Sequence, residues 1–263
     1  MRKYLSLLKY EAKNIIRDPM NIYMCTFPII ILALSSFIFP MLFESIDPMK
    51  GDVLRMTMLL LVFVILAFGP FFLAALATFL LLEHKDEHTF STIAVTPAGT
   101  SGYIRFKLAY IYLMSVAGNI IVLAGTKILA GDRYSVMGFS LFDGIELVHI
   151  VFFSLVNGLL TPALGLLQGA LARNKVEGFA MIKGTGILAL VPALMVLETF
   201  QGKMQYLLGV FPNFWSIRGM LLEFMPVKTG SDLSFPAYLL IGAVYNLALL
   251  LFAYRYFLKK AEY

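Results

Sequence analysis

Residues 57–82 read TMLLLVFVILAFGPFFLAALATFLLL, twenty-six positions without a charged side chain. A bilayer core about 30 Å thick takes about 20 apolar residues in helical form, because each unpaired backbone group in hydrocarbon costs several kcal/mol. As a helix this run is about 39 Å long, so it must tilt or bend. Gly69-Pro70 at its middle supplies the place for a bend. Five further stretches meet or approach the same requirement: Asn21 to Phe43, Leu108 to Thr126, Ile150 to Ala172, Phe179 to Leu197 and Pro236 to Tyr254. Lys183 interrupts the fifth span in chain order, and its ammonium has to snorkel to the interface. The expectation is an all-α polytopic membrane protein of six spans forming a single membrane domain over residues 1–263.

Composition leads to the same conclusion. The chain is 60% hydrophobic and 14% charged, against roughly 45–50% apolar and about 25% charged in ordinary soluble domains. Too few charges exist to cover a water-facing surface, which excludes a conventional soluble enzyme. The single cysteine, Cys25, allows no internal disulfide and no multi-thiolate metal site, and it reads as a small apolar filler.

The charges that remain set the orientation. With the N-terminus inside, fourteen Lys and Arg fall on cytoplasmic segments and seven on outer ones, the bias expected of a chain whose termini both lie in the cytoplasm. The basic pI of about 9.2 is thereby explained by topology, without a nucleic-acid partner. The first span is too long for a signal peptide and has no small-x-small cleavage site after it, so it reads as an anchor.

No phosphate-binding loop of the form G-x-x-x-x-G-K-[ST] occurs, and the largest cytoplasmic loop, Glu83 to Lys107, has 25 residues. A nucleotide-hydrolysing domain does not fit there. No Asp or Glu lies well inside any span, which argues against a proton- or sodium-coupled carrier. The work has to come from a partner, and the chain itself reads as a non-enzyme.

Three segments outside the spans carry pattern. In residues 1–18, Leu5, Leu8, Ala12, Ile15 and Ile16 recur at helical spacing opposite Lys9, Lys13 and Arg17, which reads as a basic amphipathic helix in the inner interface. Asp18-Pro19 stops it before the first span. After the second span comes Glu83-His84-Lys85-Asp86-Glu87-His88-Thr89-Phe90-Ser91-Thr92-Ile93-Ala94-Val95-Thr96-Pro97. Its carboxylates crowd a helix C-terminus, which the helix dipole disfavours, so something other than local helix stability selects them. Thr89 to Val95 fits a short separate helix, with Thr89 as cap and Pro97 as stop. The third segment, 198–235, has a stretch from Phe211 to Met225 too apolar for a free loop and too interrupted to span, which suggests short helices dipping into the outer leaflet or a structural outer cap.

The run from Lys85 through Thr89 to Val95-Thr96-Pro97, followed by Lys107, resembles the coupling loop of ABC-2 type transporter permeases. The basic helix ending in Arg17-Asp18-Pro19, the six spans, and the outer segment from Phe211 to Arg218 are similar to that family as well, so the resemblance covers nearly the whole chain. His88 departs from it by standing where the family usually has glycine. The resemblance implies a membrane-spanning permease subunit of an ATP-driven exporter in the plasma membrane of a bacterium. It implies contact with a separate ATPase subunit through Glu83, Asp86, Glu87, Thr89, Phe90, Ile93 and Arg105. ATP and Mg would be bound by that partner, with no cofactor in this chain. A six-span chain would be half a transporter, completed by a second copy or a paired permease. Largely apolar spans favour a hydrophobic or amphiphilic cargo such as a drug, lipid or lipid-linked glycan.

Asn119, Asn157, Gln168 and Asn246 lie inside spans, where polar side chains either glue helices together or line a pathway; both readings stay open at this point. Pro28, Gly69-Pro70, Thr161-Pro162 and Pro192 are candidate hinges. Two rival functions remain. His84-Lys85-Asp86-Glu87-His88 matches H-x-x-E-H, the inverted zinc-protease pattern, although the third imidazole, His149, falls on the opposite side of the membrane in this topology. The other rival is a non-transporting membrane subunit that anchors or senses for a larger complex.

Overall fold

The computed structural model describes residues 13, 16–46, 51–87, 89, 92, 93, 95, 99–136, 138–200, 202–224 and 232–261. Most of the N-terminal amphipathic helix expected over residues 1–18 lies outside the described residues, as do His88, Phe90 and the Thr96-Pro97 stop. Among the described residues, six helices are long and apolar enough to cross a membrane.

Helix α1, Pro19–Ala33, opens the first span. Asp18 caps it by accepting the Met20 N–H at 2.9 Å, and Pro19 occupies the first turn, where its missing N–H costs nothing. The span then departs from a uniform α-helix. Leu34–Ile38 form a π turn before α2, Phe39–Glu44. Such a turn opens the backbone locally, and the Tyr134 hydroxyl donates to the Ser35 carbonyl at 2.6 Å. Burial pushes the Tyr134 phenol up, so that it stays a donor.

Helix α3, Gly51–Asp86, is the second span and the centre of the molecule. Its most apolar window is 67% buried, against 22% for the fifth span, because α1, the third, fourth and fifth spans and the outer helix all pack on it. It stays helical through Gly69-Pro70. A short segment leads to α4, Gly99–Ala130, the third span. Beyond it, β1 (Ser135–Val136) and β2 (Phe139–Ser140) form a two-residue antiparallel hairpin on the outer side, with Gly138 at φ 85° supplying the left-handed turn.

The fourth span is built from two helices, α5 (Leu147–Gly158) and α6 (Leu160–Leu171), interrupted at Leu159 just before Thr161-Pro162. Helix α6 lies close against α3 because Gly165 has no side chain: a Cβ there would stand 2.5 Å from the Ala77 Cβ. Small residues at such crossings let backbones approach, which is how membrane helices gain packing without a water-driven term.

Helix α7, Lys175–Leu190, begins the fifth span, with Asn174 capping it by accepting the Glu177 N–H at 2.9 Å. Lys183 is exposed, with its ammonium 4.5 Å from the Phe179 ring centroid. The outer segment continues as 3₁₀ turns over Val191–Val196, Glu198–Phe200 and Gly202–Val210, and then as α8, Pro212–Phe224. The apolar stretch after Phe211 is thus a helix, as its composition suggests. It is buried in protein, with Phe214, Ile217, Met220 and Leu221 completely covered. Helix α9, Phe235–Ala261, is the sixth span. All six expected spans are present, with ends that differ by one to nine residues from those read in the sequence.

Candidate functional site

The cytoplasmic end of α3 carries the densest polar arrangement outside the outer segment. Leu82 is the last residue of the apolar run, and the helix continues through Glu83, His84, Lys85 and Asp86. The Thr89 N–H closes onto the His84 carbonyl at 3.1 Å, and the Ile93 N–H onto the Thr89 carbonyl at 3.0 Å, so a new helical turn starts at Thr89. Its side chain is committed elsewhere. Thr89 Oγ1 meets His84 Nδ1 at 2.8 Å, which replaces the capping role expected of it.

His84 is buried, and its other nitrogen faces α4. Nε2 lies 3.0 Å from Lys107 Nζ and 2.8 Å from the Tyr103 hydroxyl. Tyr103 and Lys107 are four residues apart and therefore share one face of α4. The Lys107 ammonium, fully buried, also donates to the Leu80 carbonyl at 2.8 Å and to the Tyr103 hydroxyl at 3.2 Å. An ammonium has donors only, so Nε2 is the acceptor and the ring proton sits on Nδ1, donated to Thr89. The His84 and Tyr103 rings meet edge to face, 5.2 Å between centroids.

The next two residues address other spans. Lys85 Nζ donates to the carbonyls of Gly169 at 2.6 Å and Ala172 at 3.1 Å, satisfying the C-terminal end of α6. Asp86 Oδ2 accepts the Lys175 N–H at 3.3 Å, placing an anion at the N-terminus of α7. The crowding of charge that looks unfavourable for α3 alone is thus matched, in part, by the ends of its neighbours.

Of the residues singled out for partner contact, Asp86, Glu87 and Arg105 are exposed, Glu83, Thr89 and Ile93 are half-buried, and Phe90 lies outside the described residues. Arg105 turns back to the Ser101 carbonyl at 3.4 Å. Val95, at 85% exposure, is the most exposed large apolar residue described. The intramembrane residues divide into two pairs. Asn157 donates to the Leu66 carbonyl at 3.2 Å and accepts from Ser216 at 2.8 Å, joining α5 to α3 and α8. Gln168 accepts from Thr78 and donates to Thr185, joining α6 to α3 and α7. These two are interhelical glue. Among the described residues, the buried Asn246 side chain has no hydrogen-bond partner for either amide atom, nor has the Asn119 amide nitrogen, while the Asn119 Oδ1 faces Gly69.

The zinc arrangement meets two obstacles. Both ring nitrogens of His84 are held by protein groups. His149 sits at the far end of the fourth span, where its Nδ1 accepts the Glu146 N–H at 3.1 Å.

Compared with known proteins, residues 11–254 match the model of the family described as "Fluoroquinolones export permease protein Rv2686c-like". The chain belongs to that family. It is similar to the fluoroquinolones export permease proteins of two Mycobacterium tuberculosis strains, CDC 1551 / Oshkosh and ATCC 25618 / H37Rv. Identity to each is 26% over 252 residues, covering 95% of this chain and 92% of the relative. The ABC-2 permease resemblance read from the coupling loop holds, and membership with six apolar helices makes the chain a multi-pass cell-membrane protein of the ABC transporter class.

The outer segment holds a group that sequence reasoning missed. Arg218 of α8 pairs with Asp232 at 2.8 Å, both buried, and Asp232 Oδ1 also accepts from Gln205 at 2.9 Å. In the sequence these are scattered polar residues, Arg218 fourteen and Gln205 twenty-seven positions before Asp232, with no pattern to join them.

Proposed function

We propose that this permease moves an amphiphilic, drug-like cargo outward, driven by ATP hydrolysis on a separate subunit gripping the loop between α3 and α4. The observation that carries the proposal is the pairing of exposure with anchorage in that loop. Asp86, Glu87, Arg105 and Val95 are presented outward, while Thr89 is tied through His84 to a buried lysine of α4. A surface of that kind transmits a push, whereas an untethered loop would absorb it. ATP and Mg belong to the partner, whose basic groups would meet Asp86 and Glu87.

Fluoroquinolones, named for the relatives, are the first cargo to test here. The fifth and sixth spans leave most of their apolar windows uncovered within one chain, 22% and 28% buried, which leaves room for a second copy or a paired permease alongside lipid. The test is ATP-dependent accumulation of a fluoroquinolone in inverted vesicles holding this chain with each candidate ABC ATPase in turn. Accumulation abolished by the triple substitution Glu83→Lys, Asp86→Lys and Glu87→Lys supports the proposal. A wild-type chain that assembles with no ATPase removes the motor and refutes it; assembly without fluoroquinolone transport redirects the cargo alone.

A further inference from the structure

His84, Lys85 and Asp86 are consecutive, so they leave α3 about 100° apart. Each is fastened to a different span: His84 to Tyr103 and Lys107 of α4, Lys85 to the end of α6, and Asp86 to the start of α7. His84 also reaches the loop, through its Nδ1 to the Thr89 hydroxyl at 2.8 Å and through its carbonyl, which accepts the Thr89 N–H at 3.1 Å.

We infer that His84 is a positioning residue for coupling: it pins the first turn of the loop to the third span, so that one displacement moves the second and third spans together. Lys85 and Asp86 hand the same movement to the fourth and fifth. The inference rests on the reading of the loop as a motor's handle, and deepens it by naming the joint. The chemistry suits the task. Imidazole is a short, flat ring with a donor on one edge and an acceptor on the other, so it bridges two groups with little slack. Lys107 keeps that ring in register, because its ammonium, taken out of water, has to hold on to the acceptors around it. Filler would need neither the second nitrogen nor the buried cation.

The experiment uses the full chain in sealed proteoliposomes, with and without an ATPase partner. With the motor, cargo moved per ATP falls about tenfold in His84→Ala and returns to within about twofold in His84→Gln, whose amide keeps one donor and one acceptor. Co-purification with the ATPase is the control. Transport per ATP at the wild-type level in a folded His84→Ala complex overturns the inference. Without the motor, amide hydrogen exchange at residues 89 and 93 and at residues 103–107 rises together in His84→Ala. A rise confined to one side overturns the pin even if no ATPase ever binds the wild-type chain, an outcome that sinks the proposed function alone. If His84→Ala does not fold, nitrogen NMR of wild-type histidines decides: a proton on Nδ1 with bare Nε2 is expected, and the opposite tautomer overturns the inference.

Discussion

Asn157 donates its side-chain amide to the Leu66 carbonyl, 3.2 Å away, and Leu66 is the residue whose carbonyl loses its helical donor because Pro70 stands four residues on. Thr161 Oγ1 then donates to the Pro70 carbonyl at 3.2 Å, and Ser115 meets Thr161 at 2.6 Å. The proline turn of residues 57–82 is therefore tied to the third and fourth spans, and α3 passes through it without a break.

A double-mutant cycle tests this relationship. Asn157→Leu should cost about 1 kcal/mol of stability, the usual worth of an interhelical hydrogen bond in a membrane. In a Pro70→Ala background the cost should shrink, since the restored N–H takes back the Leu66 carbonyl. Thermal unfolding in detergent reads both; equal costs in the two backgrounds would separate Asn157 from Pro70.

Close approach of α6 to α3 depends on Gly165. A methyl added there meets the Ala77 Cβ at 2.5 Å, so Gly165→Ala should destabilise by about 1–3 kcal/mol and Gly165→Leu by more. Ala77→Gly should recover part of the loss in the Gly165→Ala protein, measured by the same unfolding assay. No recovery would place the strain elsewhere.

The Arg218–Asp232 pair is buried on both sides, 4% and 2% exposed. Removing one partner leaves an uncompensated charge, so Arg218→Met should cost about 3–5 kcal/mol, while Arg218→Met with Asp232→Leu should cost distinctly less. Chemical denaturation of the three proteins checks the order. Identical losses in single and double variants would show that the packing of Arg218 matters and its charge does not.

The spans were legible because hydrocarbon demands a long apolar helix, and that demand is written residue by residue in runs such as 57–82 and 150–172. The outer helix was legible for a related reason: the stretch after Phe211 is too apolar for a free loop, and its Phe214, Ile217 and Leu221 are covered in the fold. Sequence could not say which polar residues meet. Asn157 and Asn246 look alike as letters, yet one meets the carbonyl freed by Pro70 and the other meets no polar partner among the described residues, a difference created by helix packing. The π turn at Leu34–Ile38 was hidden too, since Ser35 and Ser36 suit an ordinary helix and the hydroxyl that donates to Ser35 comes from Tyr134, ninety-nine residues away. In the loop, the residue types were legible and their contacts were not. His84 fell in a pattern that also suits a rival zinc site, and its partners, Thr89, Tyr103 and Lys107, come together only when α3 and α4 pack.

On the function proposed above, the segment between α3 and α4 is a cytoplasmic handle for an ATPase. Val95, 85% exposed, reports on it directly once Cys25→Ser removes the native thiol. In that background Val95→Cys should react with a membrane-impermeant maleimide in inverted vesicles and not in intact cells, and bound ATPase should protect it. Labelling in intact cells would put the handle outside and contradict the account.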